Sequence, residues 1–300
     1  MIVKHDTQQV NKELLDKIKE VKPDCAFFYH LSDEKLPGEE YKIISPIKEH
    51  PVSLNEILNR AARVKENLAV TDAEREKIAN LTKTQSKCQQ WYEYRRVRIT
   101  ASKCKRAILK PSTRATKAMK EILHYNVQYQ SSMMQQGPQD EKKNFKLYEK
   151  KLSCKVSETG FLVSKKKPFL GASPNGEVDG GIVEIKRIFS NDLTLTAAVC
   201  KRGICKESSA GLVVNKNYKF YYQVQLQMFC AEVDWADLVL SDLDDLIIVH
   251  VKKCVHFLAI IPKLGSFYDN HISLELAYPR VADGHSRLSS LVDRGRERAI

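Results

Sequence analysis

The sequence predicts a mixed α/β domain with an α-helical N-terminal region, and three observations carry that prediction. Helix-start signals dominate before residue 100. From about residue 154 the texture changes to short apolar runs separated by turn residues. A late helical stretch then falls between the strands of that sheet core. In order along the chain, residues 7–22 set Val10, Leu14, Ile18 and Val21 at helical spacing, and Pro23 ends the stretch. A loop-rich segment with Pro37, Gly38, Pro46 and Pro51 runs to about residue 52. Ser53 with Glu56, and Thr71 with Glu74, have the spacing of capping boxes, in which a hydroxyl and a carboxylate three residues on satisfy the first orphan backbone donors. The second of these predicts a helix running through Trp91 to about Val97. Residues 115–126, rich in Ala, Lys and Met, predict another, and Gly137-Pro138 opens one that carries Glu141, Phe145 and Tyr148. Strands are predicted over Cys154 to Ser164, Phe169 to Ala172 and Ile182 to Phe189, a helix over Tyr218 to Val233, strands over Asp237 to Ser241 and Leu246 to Val251, and a closing helix from about residue 263. These elements divide the chain into an N-terminal helical and loop region (1–70), the α/β domain (71–283) and a weakly anchored tail (284–300).

Lys and Arg outnumber Asp and Glu by 49 to 37, a net charge of +12. A solvated basic face attracts polyanions, so nucleic acid is the first partner to consider and an anionic membrane the second. No apolar window reaches the length of a membrane span, and the N-terminus lacks the apolar core of a signal peptide. A soluble, intracellular protein is expected. The eight cysteines are scattered and form no CxxC pair, which suits reduced thiols in a chain of 300 residues.

The chemistry concentrates in Gly171-Ala172-Ser173-Pro174-Asn175-Gly176 and the Glu184-Ile185-Lys186 that follows. Strand alternation sends Glu184 and Lys186 to one face and Val183 and Ile185 to the other. On these residues alone, a solvent-facing ion pair is the commoner outcome of such a pattern. The same arrangement also suits metal-assisted phosphodiester cleavage. A turn residue, Glu184 and the Ile185 carbonyl would supply oxygen ligands to a hard cation, with Lys186 beside the attacking water or the developing anion.

Five blocks, in order, turn that ambiguity toward a family. Trp91 precedes Arg95 and Ile99-Thr100-Ala101-Ser102; Gly137 precedes Glu141; the Gly171–Gly176 block precedes Glu184-Ile185-Lys186. Then come Tyr221-Tyr222-Gln223-Val224-Gln225-Leu226-Gln227-Met228 and Pro262-Lys263-Leu264 with Phe267-Tyr268. Over roughly residues 70–280 the chain resembles the YqaJ-type viral recombinase family, which includes phage lambda exonuclease. The resemblance implies a restriction-endonuclease-like core, with a mixed β-sheet flanked by helices. It further implies a Mg²⁺-dependent deoxyribonuclease (Mn²⁺ being the alternative ion), acting as a 5′-to-3′ exonuclease on duplex DNA through metal-activated water. By that resemblance Glu184, Lys186 and Gln225 are catalytic, with Gln223 facing elsewhere. Glu141, Asn175, Glu184 and the Ile185 carbonyl are metal ligands, and Arg95, Ser102 and Ser173 hold a 5′-phosphate. The ring-shaped trimer of lambda exonuclease makes a homo-oligomer a further implication of the resemblance.

One position departs from the family pattern, which writes Ser-Pro-Asp-Gly where this chain has Asn175. A neutral amide is a poorer ligand than a carboxylate for a hard cation. Asn-Gly is also a strong turn dipeptide in its own right. Four consequences follow as alternatives: Glu177 or Asp179 substitutes as ligand, the site works weakly, the domain binds DNA without cutting, or Asn175 deamidates to an acid. Lysines cluster near the motif, at Lys142, Lys143, Lys146, Lys150 and Lys151 and again at Lys165, Lys166 and Lys167; a solvated charged face is the plain reading of such a cluster, and beside this motif some of them are expected to contact phosphates.

Overall fold

The computed structural model describes residues 53–110, 112–125, 143–190, 192–209, 211–282 and 284–288. The chain divides into two units, Met1–Ile43 and Ile44–Ile300, and every described residue belongs to the second. The helix expected over 7–22, the loop to residue 52, the Gly137-Pro138 helix start, Glu141 and Lys142 lie outside the described residues.

Helix α1 (Leu54–Asn67) starts where Ser53 accepts a hydrogen bond from the Glu56 amide. Glu56 turns its carboxylate to Arg60, at 2.8 Å. Helix α2 (Asp72–Leu81) carries the complete box: Thr71 N–H donates to Glu74 at 2.7 Å, and the Glu74 amide donates back to Thr71. The single helix expected from Thr71 to Val97 is instead broken. Thr82 donates its hydroxyl to the Ile78 carbonyl and accepts the Phe161 amide, and Gln85 takes a left-handed backbone at φ 45°. A new helix, α3 (Gln89–Arg96), then begins after Cys88. A polar, partly β-branched stretch that bonds to backbone outside the helix competes with helix continuation there.

Strand β1 (Ile99–Thr100) leads into a 3₁₀ segment, Ala101–Ala107, and helix α4 (Thr116–Ile122). Helix α5 occupies 143–152 among the described residues. Short strands β2 (Ser157–Glu158), β3 (Leu162–Val163), β4 (Leu170–Ala172) and β5 (Gly176–Val178) precede the long β6 (Gly181–Arg187). The continuous strand expected over 154–164 is thus two short pieces. Residues 190–217, which carried no sequence assignment, hold α6 (Leu195–Lys201) and the hairpin β7 (Cys205–Ser208) with β8 (Gly211–Val214). Helix α7 (Lys219–Ala231) and strands β9 (Trp235–Ser241) and β10 (Leu246–Lys252) fall close to their expected places. Helices α8 (Ile261–Phe267) and α9 (Ser273–Ala277) close the described chain.

The main sheet has the order β10-β9-β6-β5-β2, with β6 parallel to β9 and the other pairs antiparallel. A second sheet, β1-β4-β3, pairs β1 with β4 in parallel. Helix α7 buries almost every face, against the 3₁₀ segment, β4, β6 and β9, and so forms the centre of the large core. Tyr148 of α5 packs on Val183, Ile185 and Val239, the opposite face of the main sheet. Helix α1, which the sequence reading left with the N-terminal region, packs Ile57, Ala61 and Val64 on Leu274, Ala277, Tyr278 and Leu288.

Candidate active site

The β5–β6 hairpin turns at Asp179-Gly180, where both residues have positive φ (34° and 78°) between the paired Val178 and Gly181. That is the pattern of a tight type I′ turn. Asn175-Gly176 therefore does not make the turn. Gly176 begins β5, and just before it the Asn175 N–H donates to the Val183 carbonyl at 3.0 Å. Extending the register from Gly176↔Val183 by one residue sets Asn175 opposite Glu184. The Asn175 side chain adds a bond of its own, Oδ1 accepting from Ile185 N–H at 2.8 Å. Because a backbone N–H can only donate, the amide orientation is determined: oxygen toward Ile185, –NH₂ at the other terminus. Glu177 and Asp179 are exposed.

Glu184 is almost fully buried, at 3% exposure, and its charge is met on three sides. Lys186 Nζ lies 2.6 Å from Oε1, Gln223 Nε2 donates to Oε1 at 2.6 Å, and Gln227 Nε2 donates to Oε2. A buried carboxylate without such donors would be strongly disfavoured. Lys186 also stands 5.3 Å from the Phe220 ring centre. The expectation for α7 is corrected here. Gln225, assigned to the site, points away: its Nε2 donates to the Lys252 carbonyl and its Oε1 accepts from the Cys254 amide, both at 2.9 Å. At about 100° per residue, positions four apart lie about 40° from each other, whereas two residues of offset rotate a side chain by about 200°. Gln223 and Gln227 therefore share the Glu184 face, and Gln225 takes the reverse one. The i, i+4 spacing of the two glutamines was the signal that could have found them.

The neighbouring loop is braced by residues the motif did not include. The Pro174 carbonyl accepts from Gln85 Nε2 and from Thr159 Oγ1, each at 2.8 Å. Trp91 Nε1 donates to Ser173 Oγ at 2.8 Å, and Arg95 reaches the same oxygen at 3.4 Å while its guanidinium lies 3.9 Å over the Trp91 ring. Two arginines one turn apart, Arg98 buried and Arg95 partly so, differ in their state. Arg98 spends its donors on the carbonyls of Pro168, Tyr94 and Leu68. Arg95 keeps a buried Nε with no hydrogen-bond partner. Desolvation lowers its pKa to about 10, still charged at neutral pH, with Tyr92 and Glu184 acting in the opposite direction. Ser102 is exposed, yet the parallel register Thr100↔Gly171 brings Ser102 and Ser173 out of the ends of adjacent strands. Arg95, Ser102 and Ser173 thus come to one end of the β1–β4 pair. Gln227 Nε2, 3.5 Å from the Ser173 carbonyl, links this end to Glu184.

The lysines near the motif are placed differently from expectation. Helix α5, with Lys143, Lys146, Lys150 and Lys151, packs on the sheet face opposite Glu184, as the two-residue strand period requires. Lys165 pairs with Asp72, and Lys151 donates to the Leu246 carbonyl.

His124, just after α4, has a buried Nε2 without a hydrogen-bond partner. Burial, then the Arg95 and Lys103 cations, push its pKa down to about 4. An unfolded histidine titrates near 6.5, so between about 6.5 and about 4 the unfolded chain binds a proton that the folded chain refuses. Stability is therefore expected to fall as the pH drops through that window. Melting temperatures of the native chain and His124→Gln, taken across it, check this; equal slopes would refute it.

For a divalent cation, the chemistry of the donors decides the fit. Gln227 Oε1 is a buried acceptor with no hydrogen-bond partner, on the side chain that already bridges to Glu184. A carboxylate beside an unpaired amide oxygen suits a hard cation. Among the described residues no group of three or more His, Cys, Asp or Glu is assembled to hold a metal.

A buried strand carboxylate with a lysine two residues on, a helix supplying amides, and an arginine and a serine at the end of the β1–β4 pair are thus brought together on a restriction-endonuclease-like fold. Residues 90–234 match the family model of the YqaJ-like viral recombinase domain. Among solved structures, LHK-Exo, an alkaline exonuclease from Laribacter hongkongensis, in complex with dAMP is 21% identical with a TM-score of 0.50, covering 71% of this chain and 100% of that one. A second LHK-Exo structure gives 21% identity and 0.49 over the same shares. A phage-related exonuclease from Haemophilus somnus 129PT gives 14% and 0.43, covering 66% of this chain and 96% of that one. No curated protein sequence matches. Among the described residues no helix is long and apolar enough to cross a membrane.

Proposed function

We propose that the chain is a divalent-cation-dependent deoxyribonuclease that removes nucleotides from a 5′ end of duplex DNA. The observation that carries this reading is the junction through Gln227: one side chain touches both the buried Glu184 and the loop whose Ser173 is held by Trp91 and Arg95. An end-holding anion site and an acid site are thereby fixed to each other, which is the positioning that phosphodiester hydrolysis needs. Arg95, with Ser173 and Ser102, would grip the terminal phosphate, the unpartnered Nε being free to donate to it. Lys186 would offer its ammonium to the charge that builds on the scissile phosphate. Glu184, Gln227 Oε1 and the Ile185 carbonyl would hold Mg²⁺ or Mn²⁺, with Glu141 a further candidate on the family resemblance. Bound there, the cation would lower the pKa of a water and offset phosphate charge. The dAMP described with LHK-Exo is the kind of mononucleotide such a reaction would release.

A second reading, DNA binding with weak or no cutting, is favoured by one observation. The only oxygen of the Asn175 side chain accepts from Ile185 N–H, so its other terminus is an –NH₂, which cannot ligate a cation. Incubating linear 5′-phosphorylated duplex with the chain, in Mg²⁺, Mn²⁺ or EDTA, separates the two readings. The nuclease reading expects mononucleotide release with either ion and none in EDTA; retained, uncut DNA under all three conditions would leave the binding reading.

A further inference from the structure

Gln85 stands in the break between α2 and α3 with a left-handed backbone, φ 45°, which glycine or asparagine would adopt at less cost. Its main chain is fixed there: its N–H donates to the Thr82 carbonyl at 2.9 Å, and its carbonyl accepts from the Cys88 amide at 2.8 Å. Strain at a position whose backbone favours another residue type directs attention to the side chain. Gln85 Nε2 donates to the Thr159 carbonyl at 3.0 Å and to the Pro174 carbonyl at 2.8 Å, which uses both of its hydrogens. Thr159 Oγ1 closes a triangle by donating to the same Pro174 oxygen, also at 2.8 Å. The chain beyond Thr159 is pressed against the end of α2, where a Cβ on Gly160 would come 1.9 Å from the Ala79 carbonyl oxygen and 2.5 Å from Thr82 Oγ1. The two donors therefore stand on a base that cannot close up further.

The accepting carbonyl belongs to the peptide unit that joins the two halves of the site. Such a unit is planar, so holding its oxygen and its nitrogen fixes all of it. Gln85 and Thr159 hold the oxygen, and the Val183 carbonyl holds the Asn175 N–H at 3.0 Å. Ser173, which Trp91 and Arg95 contact, lies before this unit, and Asn175, opposite Glu184, ends it. Pro174 adds little freedom between them, because its ring fixes φ. Gln227 reaches the Ser173 carbonyl from the other side at 3.5 Å, a weaker bond than the 2.8 Å one from Gln85. We propose that Gln85 is a positioning residue: by holding the Pro174–Asn175 peptide it sets the span between the terminal-phosphate grip and the acid, so that a gripped 5′-phosphate speeds cleavage. The proposal rests on the nuclease reading and adds the residue that couples its two ends.

Gln85→Gly in the full chain tests this, because glycine accepts the left-handed backbone and the change removes only the side-chain donors. Nucleotide release in Mg²⁺ is timed at saturating linear duplex carrying either a 5′-phosphate or a 5′-hydroxyl end. On the phosphorylated end the variant is expected to lose about thirtyfold in kcat, the scale of a displacement of somewhat under about 1 Å between reacting groups. On the hydroxyl end, where no phosphate is gripped, the loss should stay within about threefold, so the preference for phosphate collapses. Affinity for the phosphorylated duplex, read by fluorescence anisotropy with Glu184→Gln present to prevent cutting, should change by less than about threefold, since the grip itself is intact. Thr159→Val removes the second donor without touching Gln85 and should reduce the same preference, which keeps the test decisive if the glycine variant folds poorly. Equal losses on both ends, a loss confined to affinity, or a native chain indifferent to the end phosphate would each overturn the proposal. If the native chain prefers the phosphorylated end and both variants keep that preference, the positioning role fails alone. If the native chain releases no nucleotide in Mg²⁺, the nuclease reading fails and the proposal with it.

Discussion

Replacing Glu184 by Gln is expected to lower nucleotide release by on the order of a thousandfold, which corresponds to about 4 kcal/mol of transition-state stabilisation. The carboxylate is buried and receives Lys186, Gln223 and Gln227, so the substitution removes a charge that three donors are arranged around. It changes shape very little. One terminus becomes an –NH₂ facing a glutamine donor, and an amide flip at Gln223 or Gln227 restores the hydrogen bond at small cost. Melting temperature should therefore move by only a few degrees while turnover collapses. Lys186→Ala should also lose most activity, because it leaves Glu184 with amide donors only. Gln225→Ala, by contrast, should leave turnover near the native rate, since Gln225 bonds the Lys252–Cys254 segment. Native-like digestion by Glu184→Gln, or a collapse with Gln225→Ala at unchanged melting temperature, would remove the site assignment.

The second large effect is expected at Asn175, in the opposite direction. Asn175→Asp keeps an oxygen for Ile185 N–H and converts the –NH₂ terminus into a second carboxylate oxygen opposite Glu184. Two carboxylates brought together repel without a cation and cooperate with one. The variant should melt lower than the native chain in EDTA and gain more on adding Mg²⁺, because a ligand bound only by the folded state stabilises it. Cleavage should rise by about ten- to a hundredfold, equal to about 1.4 to 2.8 kcal/mol. Calorimetry with and without Mg²⁺, beside the nuclease assay, reads both parts. A rate no higher than native, together with an unchanged response to Mg²⁺, would show that position 175 takes no part in cation binding.

Much of this architecture is legible in the residues because it follows from periodicity. Alternation in β6 separates Glu184 and Lys186 from Val183 and Ile185, and the late helix and last two strands fall near their expected limits. What escaped depends on long-range contact. The break after Leu81 follows from Thr82 meeting Phe161, and the bracing of Pro174 from Gln85 meeting it 89 residues away. The choice among three alternating glutamines depends on which face of α7 meets the sheet, which is decided by packing. Asn-Gly and Asp-Gly are equally good turn dipeptides, and strand pairing selects the second. The lysines of α5 crowd the motif in sequence but are carried to the other side of the sheet by Tyr148.

The Trp91–Ser173 and Glu184–Gln227 bonds join residues 82 and 43 positions apart, and α7 supplies the last partner. During synthesis the strand bearing Glu184 therefore emerges well before the helix that completes its surroundings. A growing chain, or one cut short before α7, holds the acid but not the environment that orients it. Loop-closure entropy delays such distant pairings, so competence to act on DNA should arise late and all at once. On the proposed function, a chain built this way would be kept from attacking nucleic acid while it is still unfinished.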